Sequence, residues 1–261
     1  MYQIICTDAL SLLESIDYVR MIMADPPDNI GLKYKTYKDN RPDYIQWLEK
    51  IIEISVSKAD VFWLSYNAKW TFEVGRIVSN LLDRYEGLKA KPCVQIYTFG
   101  QHNKYDLGNN HRPLIRITQP NVELYPDEIH IESWRQVHGD KRANSIGKVP
   151  SDVFDFPRVT GNSRQRRKWH PTQLNEGLVE RCVKFSCKET DTVVDPFAGT
   201  GTTLRVCQRL GIACTVGDID YGYCKHIAEE NGLHPAITKY WPAGRWYTGK
   251  GLGLANSKKD I

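Results

Sequence analysis

Apolar residues recur along this chain in short runs and one-sided stripes that alternate with each other. Residues 2–6 form a compact apolar run and predict a short strand. Thr7-Asp8-Ala9 then leads into a helix carrying Leu10, Leu12 and Leu13, and Arg20 to Ala24 predicts a second strand. Tyr44, Trp47, Leu48, Ile51, Ile52 and Ile54 make a stripe near helical spacing, with Asp43 as the expected cap. Val61 to Leu64 predicts a strand and Ala68 to Leu82 a helix, while Val94 to Phe99 and Leu114 to Ile117 predict strands of a hairpin or sheet edge. From about 100 to 168 the periodicity fades into Pro, Asn, Arg and aromatic residues, too long a stretch for an ordinary loop. Regular pattern returns at Thr172. A helix through Leu174, Leu178, Val179, Cys182 and Val183 precedes a β-branched strand at Thr192 to Val194. A helix over 202–210, a strand over 213–216 and a helix over 223–230 follow. The tail from Tyr240, rich in Gly, Trp and Lys, is expected to fray or wrap the surface.

Strand and helix alternate through both ends, which predicts an α/β fold with a doubly wound, mostly parallel sheet. A strand–glycine turn–helix–strand–acid unit normally opens such a sheet. Here it lies at 192–220, near the end. The order is therefore that of a circularly permuted Rossmann-like sheet, broken after the helix over 223–230. This demands that strand 20–24 lie beside strand 192–195. The expected division is 1–100 and 169–235 as two halves of one domain, with 101–168 as an irregular basic insert and 236–261 as a tail.

Composition changes this picture little. The 261 residues are 41% hydrophobic and 25% charged, as in a soluble globular protein. No apolar run reaches membrane-spanning length, no basic leader precedes the first strand, and no membrane association is expected. Seven cysteines without a Cys-x-x-Cys pair point to free thiols in a reducing, cytoplasmic compartment, and no metal site is expected. Cys93, after Pro92, is expected in the core.

The candidate chemistry lies in two motifs. Asp195-Pro196-Phe197-Ala198-Gly199-Thr200-Gly201-Thr202-Thr203 follows a buried strand and opens a helix. Gly199 and Gly201 permit a tight turn and close approach of a ligand, and Thr202 and Thr203 are candidate caps. A nucleotide-like cofactor would sit there, with Asp195 facing its positive or N–H-bearing part. The run lacks the Gly-Lys-Ser/Thr of a P-loop and the spacing of an NAD fingerprint. Asp218 ends the following strand, where acids bind ribose hydroxyls in nucleotide folds, with Asp220 as the alternative. The second motif is Asp25-Pro26-Pro27-Asp28-Asn29-Ile30-Gly31, which places Asp25 at a strand's carboxyl end on a rigid corner.

Together with Trp169-His170-Pro171-Thr172-Gln173, these motifs resemble the amino-methyltransferases of DNA bases in their permuted β arrangement, over nearly the whole chain. The resemblance implies S-adenosylmethionine as cofactor and methylation of an exocyclic base amine. An initial Asp leans toward adenine N6; cytosine N4, RNA, or a catalytically silent DNA-binding protein of the same fold are the alternatives. It implies Asp25 as the carboxylate that accepts the amine, the Pro26 carbonyl as second acceptor and Pro27 as part of the corner. In the family an aromatic residue follows Pro-Pro and stacks on the base; here that position is Asp28. Tyr34 or Tyr37 is then expected to supply the stacking face, while Asp28 hydrogen-bonds the base or caps the loop through Asn29. It further implies that Asp195, Pro196, Phe197, Ala198, Gly199, Thr200, Gly201, Thr202 and Asp218 bind the cofactor. His170, Thr172 and Gln173 would pack on its methionine part, although a structural role for His170 is equally open. Asp8 would hold the adenine amino group or cap a helix.

Charge then marks the nucleic-acid face. Residues 133–170 hold nine Lys/Arg against three Asp, a local excess of +6 where the whole chain carries +4. With Trp134, Phe154, Phe156 and Trp169 interleaved, this predicts DNA contact through Arg135, Lys141, Arg142, Arg158, Arg164, Arg166, Arg167 and Lys168, joined by Lys33, Tyr34 and Tyr37. DNA is the expected partner; a homodimer and a separate restriction nuclease are further partners that such an enzyme can have.

Overall fold

The computed structural model describes residues 1–34, 39–97 and 103–234, together with the backbone of three short strands beyond them. The elements run β1 (Tyr2–Cys6), α1 (Ala9–Ser15), β2 (Val19–Ala24), α2 (Tyr44–Lys58) and β3 (Ala59–Ser65). A 3-10 turn at Ala68–Trp70 leads into α3 (Thr71–Arg84), then β4 (Lys89–Ile96) and β5 (His111–Thr118). The middle of the chain holds only a 3-10 turn (Pro126–Ile129), α4 (Trp134–Val137) and β6 (Val153–Asp155). Regular structure resumes with α5 (Glu176–Ser186), β7 (Thr192–Asp195), α6 (Thr202–Leu210), β8 (Ala213–Asp218), α7 (Tyr221–Glu230) and β9 (Ala236–Ile237). β10 (Arg245–Tyr247) and β11 (Leu252–Leu254) pair separately and antiparallel. The expectations for Tyr37, Phe99 and most of the tail fall outside the described residues.

Nine strands form one sheet in the order β6-β4-β5-β3-β2-β7-β8-β1-β9. Only β5 runs against its neighbours, β3 and β4. The strand demanded beside 192–195 is there: β2 pairs parallel with β7, Met21 opposite Val193 and Ile22 opposite Val194. From β2 the chain winds outward to β3, and from β7 it winds the other way to β8, with β1 beyond it. The β2/β7 seam is therefore the switch point of the sheet, where a crevice opens at the carboxyl ends of the strands.

Period-two alternation sends each strand's side chains into two cores. Met21, Met23, Val61, Trp63 and Val193 face the layer of α5, α6 and α7. Ile22, Ala24, Phe62, Leu64 and Val194 face α1, α2 and α3. Both faces are covered, which explains the continuous apolar runs at 21–24 of β2 and 61–64 of β3. All seven cysteines are free, and Cys93 is half-buried against the first core.

Three local expectations are corrected. Asp43 precedes α2 but does not cap it with its side chain; the carboxylate pairs with Arg41 at 2.7 Å. Neither Thr202 nor Thr203 is the cap of α6, which starts from Gly201 in the left-handed region (φ 74°). A Cβ at Gly201 would also stand 2.7 Å from Ile227 Cγ2, so packing and backbone both require glycine there. Finally, β5 lies inside the 101–168 stretch yet is a full member of the sheet. Its apolar run is short and broken by Arg112 and Arg116, which hid its continuity with the core.

The buried Trp63 donates its indole N–H to Ser186 Oγ at 3.0 Å, joining β3 to the end of α5. Ser186→Ala leaves that donor without a partner in a dry core and is expected to cost about 1–3 kcal/mol. Urea unfolding measures the loss, and a variant as stable as the parent contradicts it.

Candidate active site

The site is built where β2 and β7 end. Ala24 closes β2, and the Asp25-Pro26-Pro27 corner turns the chain away from the sheet. Asn29 then takes a left-handed conformation (φ 54°), held by Arg41, whose N–H donates to Asn29 Oδ1 at 2.6 Å. The corner is pinned from α2 and from the 3-10 turn before α3 as well. Tyr44 Oη donates to the Pro27 carbonyl at 2.7 Å, and Trp70 Nε1 donates to the Asp28 carbonyl at 2.8 Å.

Across the seam, Asp195 closes β7 and organises the glycine turn. Its Oδ1 accepts the Phe197 N–H at 2.8 Å and its Oδ2 accepts the Thr203 hydroxyl at 2.6 Å. Asp218, at the end of β8, does the same from the other side. It accepts the N–H of Gly199 at 3.0 Å and of Asp220 at 2.8 Å. The Ala198 N–H meets the Gly217 carbonyl at 2.7 Å, which ties the turn to β8. Burial outweighs these donors and pushes both carboxyls up to about 7.

His170 closes the far wall. Its ring is 6% exposed, its Nδ1 lies 2.6 Å from the Thr172 carbonyl, and it packs on Tyr223 and Tyr34 at 4.5 and 5.7 Å between centroids. Burial lowers its pKa to about 4, so the ring is neutral at physiological pH. A Cβ at Gly199 would stand 3.4 Å from His170 Cε1, which measures how closely histidine and turn approach.

These walls enclose one cleft of about 580 Å³. Asp25 and Pro27 line it from β2, Asp195 through Thr200 with Thr202 from the glycine turn, and Asp218 from β8. His170, Thr172 and Gln173 line it as well, as do Asp8, Tyr34, Tyr44 and Trp47. The predicted catalytic and cofactor-binding residues are thus largely brought together. Three are not. Pro26 is buried behind the corner, and neither Asp28 nor Gly201 lines the cleft. The Asp28 carboxylate pairs with Arg112 at 2.9 Å and, among the described residues, makes no hydrogen bond to Asn29. The loop is fastened through Asn29 and Arg41 instead.

Asp8 lines the cleft but also caps α1, accepting from Ser11 N at 3.1 Å and Ser11 Oγ at 2.6 Å. Asp220 is a cap too; it accepts from Gly222 and Tyr223 at the start of α7 and is 1% exposed. Tyr34, expected on an exposed loop, is half-buried in the cleft wall.

The basic segment separates into two groups. Arg135, Lys141, Arg142, Arg158, Arg164 and Lys168 are exposed, as is Lys33. Arg166 and Arg167 are turned into the chain. Arg167 pairs with Glu230 at 2.6 Å, and Arg166 donates to the carbonyls of Arg167 and Pro171. With Gln173 Oε1 accepting the Arg167 N–H, these contacts brace the turn that carries His170. Trp169 is braced likewise, stacked on His226 at 4.9 Å.

Sequence reading missed Arg112 and Ser65. Arg112 donates to Asp25 at 2.7 Å, to Asp28 at 2.9 Å and through Nε to Ser65 Oγ at 2.6 Å. An arginine two residues before the apolar pair Leu114-Ile115 was the available signal, since a guanidinium taken into a strand requires partners.

An acid-lined cleft at the switch point of a doubly wound sheet, with a glycine turn on one wall, defines an α/β enzyme that takes a nucleotide-type ligand. More narrowly, the N6_N4_Mtase family, described as DNA methylase, matches residues 19–230, and the chain belongs to that family. The type II methyltransferase M2.LlaDCHI of Lactococcus lactis subsp. cremoris is 44% identical over 237 residues, 78% of this chain and 79% of its own length. The fold is shared with the PvuII DNA methyltransferase (cytosine-N4-specific), at a TM-score of 0.64 and 15% identity over 87% of this chain and 86% of that one. It is shared too with M1.HpyAVI in complex with SAM, at a TM-score of 0.61 and 15% identity over 89% of this chain and all of that one.

Thr203 holds Asp195 in both protonation states, but a hydrogen bond to the charged form is worth more. Thr203→Val is expected to cost about 2 kcal/mol at pH 8, where Asp195 is ionised, and about 1 kcal/mol at pH 5.5, where it is protonated. Denaturant unfolding at the two pH values checks this; equal losses refute it.

Proposed function

We propose that this chain is a site-specific DNA methyltransferase that transfers the methyl group of S-adenosylmethionine to adenine N6. The observation that carries the reading is the shared cleft: Asp25 just after β2 and the glycine turn after β7 face one cavity. The donor set supports the cofactor. Five aspartates (8, 25, 39, 195 and 218) line the cleft against one arginine, Arg41, and a neutral histidine. Such a wall favours a cationic sulfonium and an ammonium group. Asp218 would take the ribose hydroxyls, the glycine turn would seat the adenosine end, and His170, Thr172 and Gln173 would pack on the methionine end. Lean toward adenine comes from the initial Asp of Asp-Pro-Pro. The order of the halves is that of a circular permutation of the β arrangement, with 1–100 catalytic, the irregular stretch within 101–168 for target recognition and 169–235 for the cofactor.

When bound, S-adenosylmethionine supplies an electrophilic methyl group, so that a nitrogen–carbon bond forms as the carbon–sulfur pair departs on sulfur. The chain's part is to make a poor nucleophile competent. An exocyclic amine has its lone pair delocalised into the ring. Asp25 Oδ2, which carries no hydrogen bond among the described residues, would accept an N–H of that amine, draw it toward sp³ and receive the proton it sheds. The rigid Pro-Pro corner would hold the carboxylate on line with the turn. The base would leave its stack to reach the cleft, where Tyr34 offers a ring face. The exposed basic side chains, Arg135, Lys141, Arg142, Arg158, Arg164, Lys168 and Lys33, would grip phosphates.

Incubation with labelled cofactor and DNA or RNA, followed by nucleoside analysis, tests the reading. N6-methyladenine in DNA is expected, and Asp25→Ala should lower incorporation by at least about 100-fold. N4-methylcytosine, or label in RNA alone, overturns the substrate assignment. Cofactor binding with no incorporation indicates a silent DNA-binding protein.

The raised carboxyls give a second test. Asp218 stands near 7 because of burial, so its ionised fraction grows from pH 6 to pH 8. Calorimetric affinity for S-adenosylmethionine should tighten about tenfold over that range. Asp218→Asn should weaken the pH dependence, leaving the part that Asp195 contributes from the same cleft, whereas a pH-independent parent refutes the ribose assignment.

A further inference from the structure

The position after Pro-Pro holds an acid, and that acid sits on the same guanidinium as Asp25. Arg112 reaches from β5 with three separate donors. Nη2 meets Asp25 Oδ1 at 2.7 Å, Nη1 meets Asp28 Oδ1 at 2.9 Å, and Nε meets Ser65 Oγ at 2.6 Å. The three charged side chains are only 15–22% exposed, so water screens them weakly. Asp28 does not line the cleft and Asp25 does. One acid therefore faces the cleft, and among the described residues the other's carboxylate bonds Arg112.

We propose that Asp28 is a charge-balancing positioning residue: it neutralises Arg112 so that Arg112 can fix the orientation of Asp25 without cancelling its negative charge. The inference rests on the methyl-transfer reading of Asp25. As the amine lone pair bonds the methyl carbon, positive charge develops on nitrogen, and Asp25 must remain an effective anion to stabilise it. An arginine at 2.7 Å, left alone, would form a neutral pair with Asp25. With Asp28 on its other nitrogen the cluster carries one net negative charge, as Asp25 would by itself. The arginine still holds Oδ1 and leaves Oδ2 to the substrate. Arg112 and Asp28 thus work as a unit; either one alone harms the site.

This predicts sign epistasis, which a packing role would not produce. Turnover at saturating cofactor and DNA is measured for the parent, Asp28→Asn, Arg112→Leu and the double variant, with S-adenosylmethionine affinity within about twofold of the parent marking a folded cleft. Opposite charges in contact and poorly screened attract strongly, so Asp28→Asn should lower kcat roughly tenfold or more. Arg112→Leu should also lower it, by leaving two carboxylates together. The double variant should turn over faster than either single variant. Asp28→Ser replaces Asp28→Asn should the latter fail to fold, and Asp28→Glu should lose less than both. A double variant that loses the product of the single losses, or Asp28→Asn with parental kcat, overturns the charge-balance role while leaving the methyltransferase reading intact. A parent that methylates no nucleic acid overturns both.

Discussion

The parallel pairing of β2 with β7 is the constraint on which the rest depends. Two residue pairs, Met21 with Val193 and Ile22 with Val194, join segments about 170 positions apart in the chain. The loop-closure cost of such a contact is met because both strands are buried on both faces. Once they are adjacent, their carboxyl ends are adjacent too. Asp25 and Asp195 then have no choice but to share a crevice. The strand pairing and the site are one structural fact: each of the two paired strands ends at an aspartate, Asp25 just past β2 and Asp195 as the last residue of β7.

The aspartates do more than line the cleft. Asp195 and Asp218 accept backbone and hydroxyl donors of the glycine turn, so the turn is shaped by the side chains expected to hold a ligand. This preorganises the turn and sets its electrostatics at once. Each acid is buried far enough that its proton is loosely held near neutrality. A cation entering the cleft would favour the ionised forms, and the ionised forms would bind the turn's N–H groups more strongly. Ligand affinity and turn rigidity are thereby coupled through the same oxygen atoms. His170, neutral and packed 3.4 Å from where a Gly199 Cβ would be, adds no opposing charge.

Much of this was legible in the sequence, because the features concerned are periodic or local. The alternation of strand and helix, the unusual position of the glycine turn and the adjacency it demands all follow from hydrophobic pattern and motif order. The bounds of α6 are those expected, since Gly201 and Gly211 bracket it in the left-handed region at both ends. What stayed hidden depends on contacts across distance. Arg112 lies 87 residues from Asp25, in a strand whose apolar run is short, and nothing local announces the pairing. Arg167 reads as a phosphate ligand in the sequence, and its partner Glu230 lies 63 residues away. Asp43 had the residue type and position of a cap, but a closer partner, Arg41, took its carboxylate. A charged side chain advertises that it needs a partner; the sequence alone seldom says which.

Charge is finally divided by depth. The cleft is acidic within, whereas the surplus of arginine and lysine is carried by the irregular stretch outside, where six of its predicted contact residues are exposed. A single field could not serve both ligands. A cationic methyl donor needs anions in a place that water screens poorly, and a polyanionic substrate needs cations where phosphates can reach them. Concentrating the acids at strand ends and the bases on an irregular insertion separates the two fields by burial. The exchange between them falls to the corner at 25–28, where the half-buried Arg112 bridges two of its acids. That corner is where the target amine would arrive from the basic side to meet the acidic one.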